Sequence, residues 1–114
     1  MSIIQILQII AALGTILTGF VSLFWPSKVQ GFTGLTAKGG RGITEIRTIL
    51  GALFIALGAA ALYFNIPATY QILGITFLAM AIVRVISIFV HKSAESSNII
   101  SVVAELAFGI ILVL

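Results

Sequence analysis

The sequence predicts an all-α fold, an integral-membrane, up-and-down bundle of four transmembrane helices forming one domain over residues 1–114. Three observations carry that reading. The chain is 61% hydrophobic and only 8% charged, with a mean hydropathy of +1.27, whereas a soluble domain carries about 25% charged residues. Its apolar residues fall into four long runs, and roughly 20 such residues cross a bilayer as a helix. Short polar or glycine-containing stretches part these runs and hold most of the charge. Four spans with short connections use up the chain.

The first span is expected over residues 3–24. No positive residue precedes Ile3, and the apolar run continues to Trp25, so it reads as a retained span rather than a signal peptide. Trp25-Pro26 ends it, because Trp favours the membrane interface and Pro blocks a further turn. Ala11, Gly14, Thr18 and Ser22 recur at helical spacing, a stripe of small residues that predicts close helix packing around Gly14.

Residues 27–42 read as a loop with five glycines and the cations Lys28, Lys38 and Arg41. The second span, 43–64, ends before the Asn65-Ile66-Pro67 turn. Within it Gly51 and Gly58 lie seven apart, nearly two turns, and so face one neighbour. The third span covers 68–90, with Tyr63 and Tyr70 flanking the turn as an interfacial belt. Residues 91–98 form a polar loop, where Ser96-Ser97-Asn98 read as the N-cap of the fourth span, 99–114. That span is about 24 Å long, short for a bilayer core. Ser101, Glu105 and Gly109 line one of its faces.

The loops give an orientation. Lys28, Lys38, Arg41 and Lys92 all fall on one side, and the opposite side carries no Lys or Arg. The positive-inside rule then expects both charged loops in the cytoplasm and both termini outside, in a multi-pass protein of the cell (inner) membrane. Those four cations are expected to meet anionic lipid headgroups.

Four charges remain inside the spans: Glu45, Arg47, Arg84 and Glu105. A charge at membrane depth costs about 2.5–3.5 kcal/mol on insertion scales, so it needs a partner or a task. Arg84 lies six residues before the end of the third span and Glu105 six residues into the fourth, which matches them in depth. Arg47 shares an α-helical stripe with Gly51, Phe54 and Gly58 and reads as bundle-facing. Glu45, two residues away, points elsewhere: to span 1, the glycine-rich loop or headgroups.

Gly42-Ile43-Thr44-Glu45-Ile46-Arg47, then Gly51 and Gly58 on one apolar helix, resembles the second helix of a bacterial family of four-helix membrane proteins, the domain of unknown function 4345 family. The Trp25-Pro26 stop, Arg84 and Glu105 fit the same pattern. Leu50-Gly51-Ala52 departs from it, since the family more often has an aromatic residue and two glycines there. The resemblance implies the fold and the polar positions, with no established chemistry.

Other chemistry finds little footing. No dense basic face suits nucleic acid. Zero cysteines exclude disulfides and thiolate sites. His91 is alone beside Lys92, so no metal site and no cofactor is expected. Gly31–Gly42 lacks the G-K-[ST] ending of a phosphate loop. No nucleophile triad or carboxylate pair with room for substrate emerges.

The expectation is therefore a non-enzymatic membrane protein, an accessory or scaffolding subunit packing on a larger complex or on itself, with the Glu/Arg cluster locking its helices. The alternative is a small proton- or cation-coupled transporter or lipid-binding protein using Glu105 or Glu45 with Arg47 and Arg84. Small multidrug exporters keep their working Glu in span 1, where this chain has no acid.

Overall fold

A computed structural model describes residues 2–29, 35 and 38–114. Among the described residues there are helices and turns and no strand. Four helices are long and apolar enough to cross a membrane: α1 (Ile3–Phe24), α2 (Gly39–Phe64), α3 (Pro67–His91) and α4 (Ser96–Val113). A short 3-10 turn, Pro26–Lys28, follows α1 with Pro26 at its first position. Large apolar side chains such as Ile3, Leu17, Ile82 and Phe89 are left uncovered by the chain. Each suits lipid and would cost free energy in water at about 25 cal/mol per Å². The protein is a multi-pass membrane protein.

The chain divides into two compact units, Met1–Ala11 with Asn65–Leu114, and Ala12–Phe64. In the second, α1 and α2 touch at small residues. A Cβ added at Gly19 would lie 2.6 Å from Ile55 Cγ1 and 2.8 Å from the Gly51 carbonyl oxygen. One at Gly58 would meet Ile16 Cγ1 at 2.7 Å and the Ala12 carbonyl oxygen at 2.8 Å. One at Gly51 would fall 3.1 Å from Leu23 Cβ. Only a missing side chain lets the two backbones come so close.

The buried line on this part of α1 is Ala12, Thr15, Gly19 and Ser22. Of the expected stripe, Ala11 and Ser22 are buried, while Gly14 is half-buried and Thr18 exposed, their places on the buried line being taken by Thr15 and Gly19. Both sets hold small residues three or four apart, so helical spacing alone does not choose between them. Thr18 needs no neighbouring helix, because its hydroxyl donates to the Gly14 carbonyl oxygen at 2.9 Å.

Helix α2 begins at Gly39, four residues before the expected start at Ile43. Glycine costs about 1 kcal/mol per residue in a helix interior, which is why Gly39-Gly40-Arg41-Gly42 reads as loop. Gly39 has φ +63°, a conformation open to glycine at little cost. The turn beyond it is closed by Thr44 Oγ1 donating to the Gly40 carbonyl oxygen and by an Arg41–Glu45 contact. Of the phosphate-cradle stretch Gly31–Gly42, the residues 31–34, 36 and 37 lie outside the described residues, and Gly39–Gly42 is helical.

Residues Ile46–Leu53 of α2 are wound as a π-helix. Its hydrogen bonds run i→i+5, so positions five apart stack on one face. Ile46 and Gly51 accordingly are the two buried residues of the segment, and Arg47 is exposed. The α-helical stripe joining Arg47 to Gly51 does not form. The wider turn of the π-helix, with less rotation per residue, takes Arg47 off the buried line.

The other unit is built on the α3–α4 hairpin. Pro67 opens α3, where its missing N–H costs nothing. Lys92 ends the helix in the left-handed conformation (φ 51°), and Ser93 N–H reaches back to the Ile88 carbonyl oxygen at 3.1 Å. Helix α4 starts at Ser96, three residues before the expected Ile99, and its 18 residues reach about 27 Å. Glu95 holds the N-cap position, so Ser96-Ser97-Asn98 form the first helical turn instead of capping it. The two helices close at Gly74 and Gly109: a Cβ on Gly74 would sit 2.9 Å from the Gly109 carbonyl oxygen and 2.8 Å from Leu112 Cβ. Phe77 and Phe108 pack edge to face at 5.7 Å beside this crossing.

The start of α1 joins the same unit through Gln8. A helix leaves its last four carbonyls without intrahelical partners. Gln8 Nε2 donates to two of those on α4, Ile111 at 3.2 Å and Leu112 at 3.5 Å.

Candidate functional site

Two oppositely charged side chains face each other across the hairpin. Arg84 is carried by α3 and Glu105 by α4. Arg84 Nε donates to Glu105 Oε1 at 2.7 Å and Nη2 to Oε2 at 3.2 Å. This is a bidentate pairing, the geometry in which guanidinium and carboxylate bind most strongly. Glu105 is 5% exposed as a residue, while the Arg84 side chain keeps 29% exposure.

The third guanidinium nitrogen has a partner too. Arg84 Nη1 donates to Asn98 Oδ1 at 3.0 Å. Asn98 is held in turn by the hairpin connection, since its Nδ2 donates to the Ser93 carbonyl oxygen at 2.9 Å and to Ser93 Oγ at 3.3 Å. The left-handed turn at Lys92 is what brings Ser93 into reach. One chain of contacts thus runs from Glu105 through Arg84 and Asn98 to the loop backbone. No buried side-chain nitrogen or oxygen among the described residues lacks a partner.

The other two charges are arranged differently. Glu45 accepts from Arg41 Nε at 3.1 Å, four residues earlier on α2, with side-chain exposures of 55% and 86%. Of the directions open to Glu45, the structure takes the glycine-rich stretch. Arg47 has no ion-pair partner among the described residues and is exposed. The structure therefore brings Arg84 and Glu105 together, and pairs Glu45 outside the expected foursome. Among the described residues no three His, Asp or Glu side chains converge to hold a metal.

Of the expected packing glycines, Gly51, Gly58 and Gly109 lie at close helix contacts, and Gly14 is half-buried. Sequence reading missed Gly19 and Gly74, their partners, although both sit in apolar runs where a small residue has no other use. It also missed Gln8. An amide in the middle of an apolar span was the available signal, because a polar group there needs a partner.

A family model described as "Domain of unknown function (DUF4345)" matches residues 3–114, and the chain belongs to that family. No curated protein and no solved structure matches the chain.

Proposed function

We propose that this DUF4345 membrane protein is a non-enzymatic accessory or scaffolding subunit, whose α3–α4 hairpin is a rigid element locked by Arg84, Glu105 and Asn98. The observation that carries the reading is the saturation of the pair. Both carboxylate oxygens and all three guanidinium nitrogens are engaged. A transporter works by letting an ionisable group change partners, and Glu105 is given over to a single one. A lone buried charge costs about 3–5 kcal/mol, far more than the pair itself contributes, so such a pair fixes one arrangement of the two helices. Rigid geometry is what a scaffold supplies.

In this reading the chain lies in the inner membrane of a bacterial cell with both termini outside the cytoplasm. Lys28, Lys38, Arg41 and Lys92, facing the cytoplasm, contact anionic headgroups, each worth about 1 kcal/mol near such a surface. Exposed Arg47 adds to the same attraction. Uncovered apolar faces meet lipid, a second copy or a larger membrane complex.

Glu105→Gln tests the proposal. Expected is a lower melting temperature in detergent, with proton leak in dye-loaded liposomes equal to that of the wild type. Unchanged stability together with lost proton flux would overturn it in favour of the transport reading. Orientation is tested with Ser2→Cys, the only thiol in the chain. Labelling from outside the cell is expected, and labelling only from the cytoplasm would reverse the topology.

A further inference from the structure

Away from the charged pair, one cavity of about 350 Å³ opens within the unit formed by Met1–Ala11 and Asn65–Leu114. Its polar lining comes from Ser2, Gln5, Gln8, Asn65, Tyr70 and Gln71. Three of the chain's four glutamines thus converge there, from α1 and from α3. Ile4, Ile9 and Ile66 supply apolar wall. Leu114 also lies in its wall, and no charged side chain among the described residues lines the cavity.

These groups differ in how far they are already engaged. Gln8 is buried and its amide nitrogen is spent on the α4 carbonyls, so it is fixed wall. Tyr70, also buried, donates its hydroxyl proton to Asn65 Oδ1 at 2.8 Å, leaving its oxygen lone pairs and the Asn65 amide nitrogen available. Gln5 uses Oε1 to accept from Ser2 N–H and keeps its amide nitrogen. The Gln71 side chain makes no hydrogen bond among the described residues and is exposed, so packing gives no reason for an amide at that place in α3.

Amides donate and accept at once, as hydroxyl groups do. A surface of amides and phenol oxygen without a counter-ion suits an uncharged ligand rich in hydroxyls. It disfavours a phosphate or carboxylate, which would be desolvated without a partner. The volume equals about twelve waters at roughly 30 Å³ each, the low end of ligand pockets. We infer that this cavity is a binding site for an uncharged polyhydroxyl group of hexose or glycerol size, presented either by a neutral lipid headgroup or by a free sugar. The inference is independent of the scaffold reading and uses none of its residues.

The test measures thermal shift and ligand retention by native mass spectrometry, with full-length protein in lauryl dimethylamine oxide. A maltoside detergent would itself carry the chemistry in question. Probes are glucose, monoglucosyldiacylglycerol and phosphatidic acid, whose headgroup is a phosphate without a polyol. Stabilisation by the glycolipid alone supports the site with a lipid as source, and stabilisation by glucose supports it with a soluble source. Gln71→Leu is expected to weaken the effective probe about tenfold, the loss of one polar partner, while its melting temperature without probe stays at the wild-type value. No shift with either sugar probe, an equal or greater shift with phosphatidic acid, or undiminished binding by Gln71→Leu would each overturn the assignment.

Discussion

Two arginine–glutamate pairs of similar length occupy very different surroundings in this protein. Arg84–Glu105 closes at 2.7 Å between two helices with the carboxylate side chain 7% exposed; Arg41–Glu45 closes at 3.1 Å within one turn, at 86% and 55% exposure. The chemistry is the same and the consequence is not. Where water or headgroups can replace a lost partner, an ion pair contributes little. Where they cannot reach, the surviving charge is stranded. Burial of the acid, more than the length of the contact, decides which pair holds the fold.

The largest expected effect breaks the buried pair from one side. Glu105→Leu or Arg84→Leu alone should cost about 3–5 kcal/mol of stability, measured by thermal or denaturant unfolding in detergent followed by circular dichroism. The double variant should recover most of that loss, since two apolar side chains of similar volume leave no charge stranded. A double variant as unstable as either single would mean that the hydrogen bonds themselves, and not the avoidance of an orphan charge, support the hairpin.

Helix crossing comes next. Gly74→Ala should cost about 1–3 kcal/mol, because its new Cβ meets backbone and Leu112 Cβ, neither of which can step aside. Gly109→Ala should cost less, since the nearest atoms belong to the Leu78 side chain, which can rotate away. Equal losses from the two would show that the crossing yields as one body. The same unfolding measurement ranks them.

Much of this was legible in sequence, and the failures share a physical cause. Span count and the shared level of Arg84 and Glu105 follow from hydropathy and a rise of about 1.5 Å per residue, quantities that a chain carries openly. What stayed hidden depended on phase around the helix axis. The π-helical winding at Ile46–Leu53 moves Arg47 away from Gly51, and nothing in Ile46-Arg47-Thr48 announces it. Gly14 and Gly19 offer equivalent small-residue stripes, so the choice between them rests with the partner helix. Asn98 was legible as a polar residue at a helix start, and its role as Arg84's second acceptor needed the left-handed turn at Lys92 to be known first. Length and depth are local properties of a sequence, whereas facing is a property of two elements together.

Asn98 offers a finer probe of the same contrast. Asn98→Ala removes one acceptor from a guanidinium that keeps both contacts to Glu105, so about 1 kcal/mol should be lost. The effect should be smaller still in the Glu105→Leu background, where Arg84 is already displaced. A larger loss there would mean that Asn98 had become the arginine's main anchor. Double-variant unfolding distinguishes the two.

The exposed pair should give the smallest response. Glu45→Gln removes an i,i+4 contact of a kind that contributes about 0.3–0.5 kcal/mol. Raising ionic strength provides a second handle, since the screening length falls from about 8 Å at 0.15 M to about 3 Å at 1 M. Wild type and Glu45→Gln should therefore converge in stability at 1 M salt, while wild type and Glu105→Leu remain as far apart as before. A salt-insensitive loss of more than about 1 kcal/mol on Glu45→Gln lies above the range of exposed pairs. It would mean that Glu45 is shielded in the membrane, and the contrast between the two pairs would fail at its weaker end.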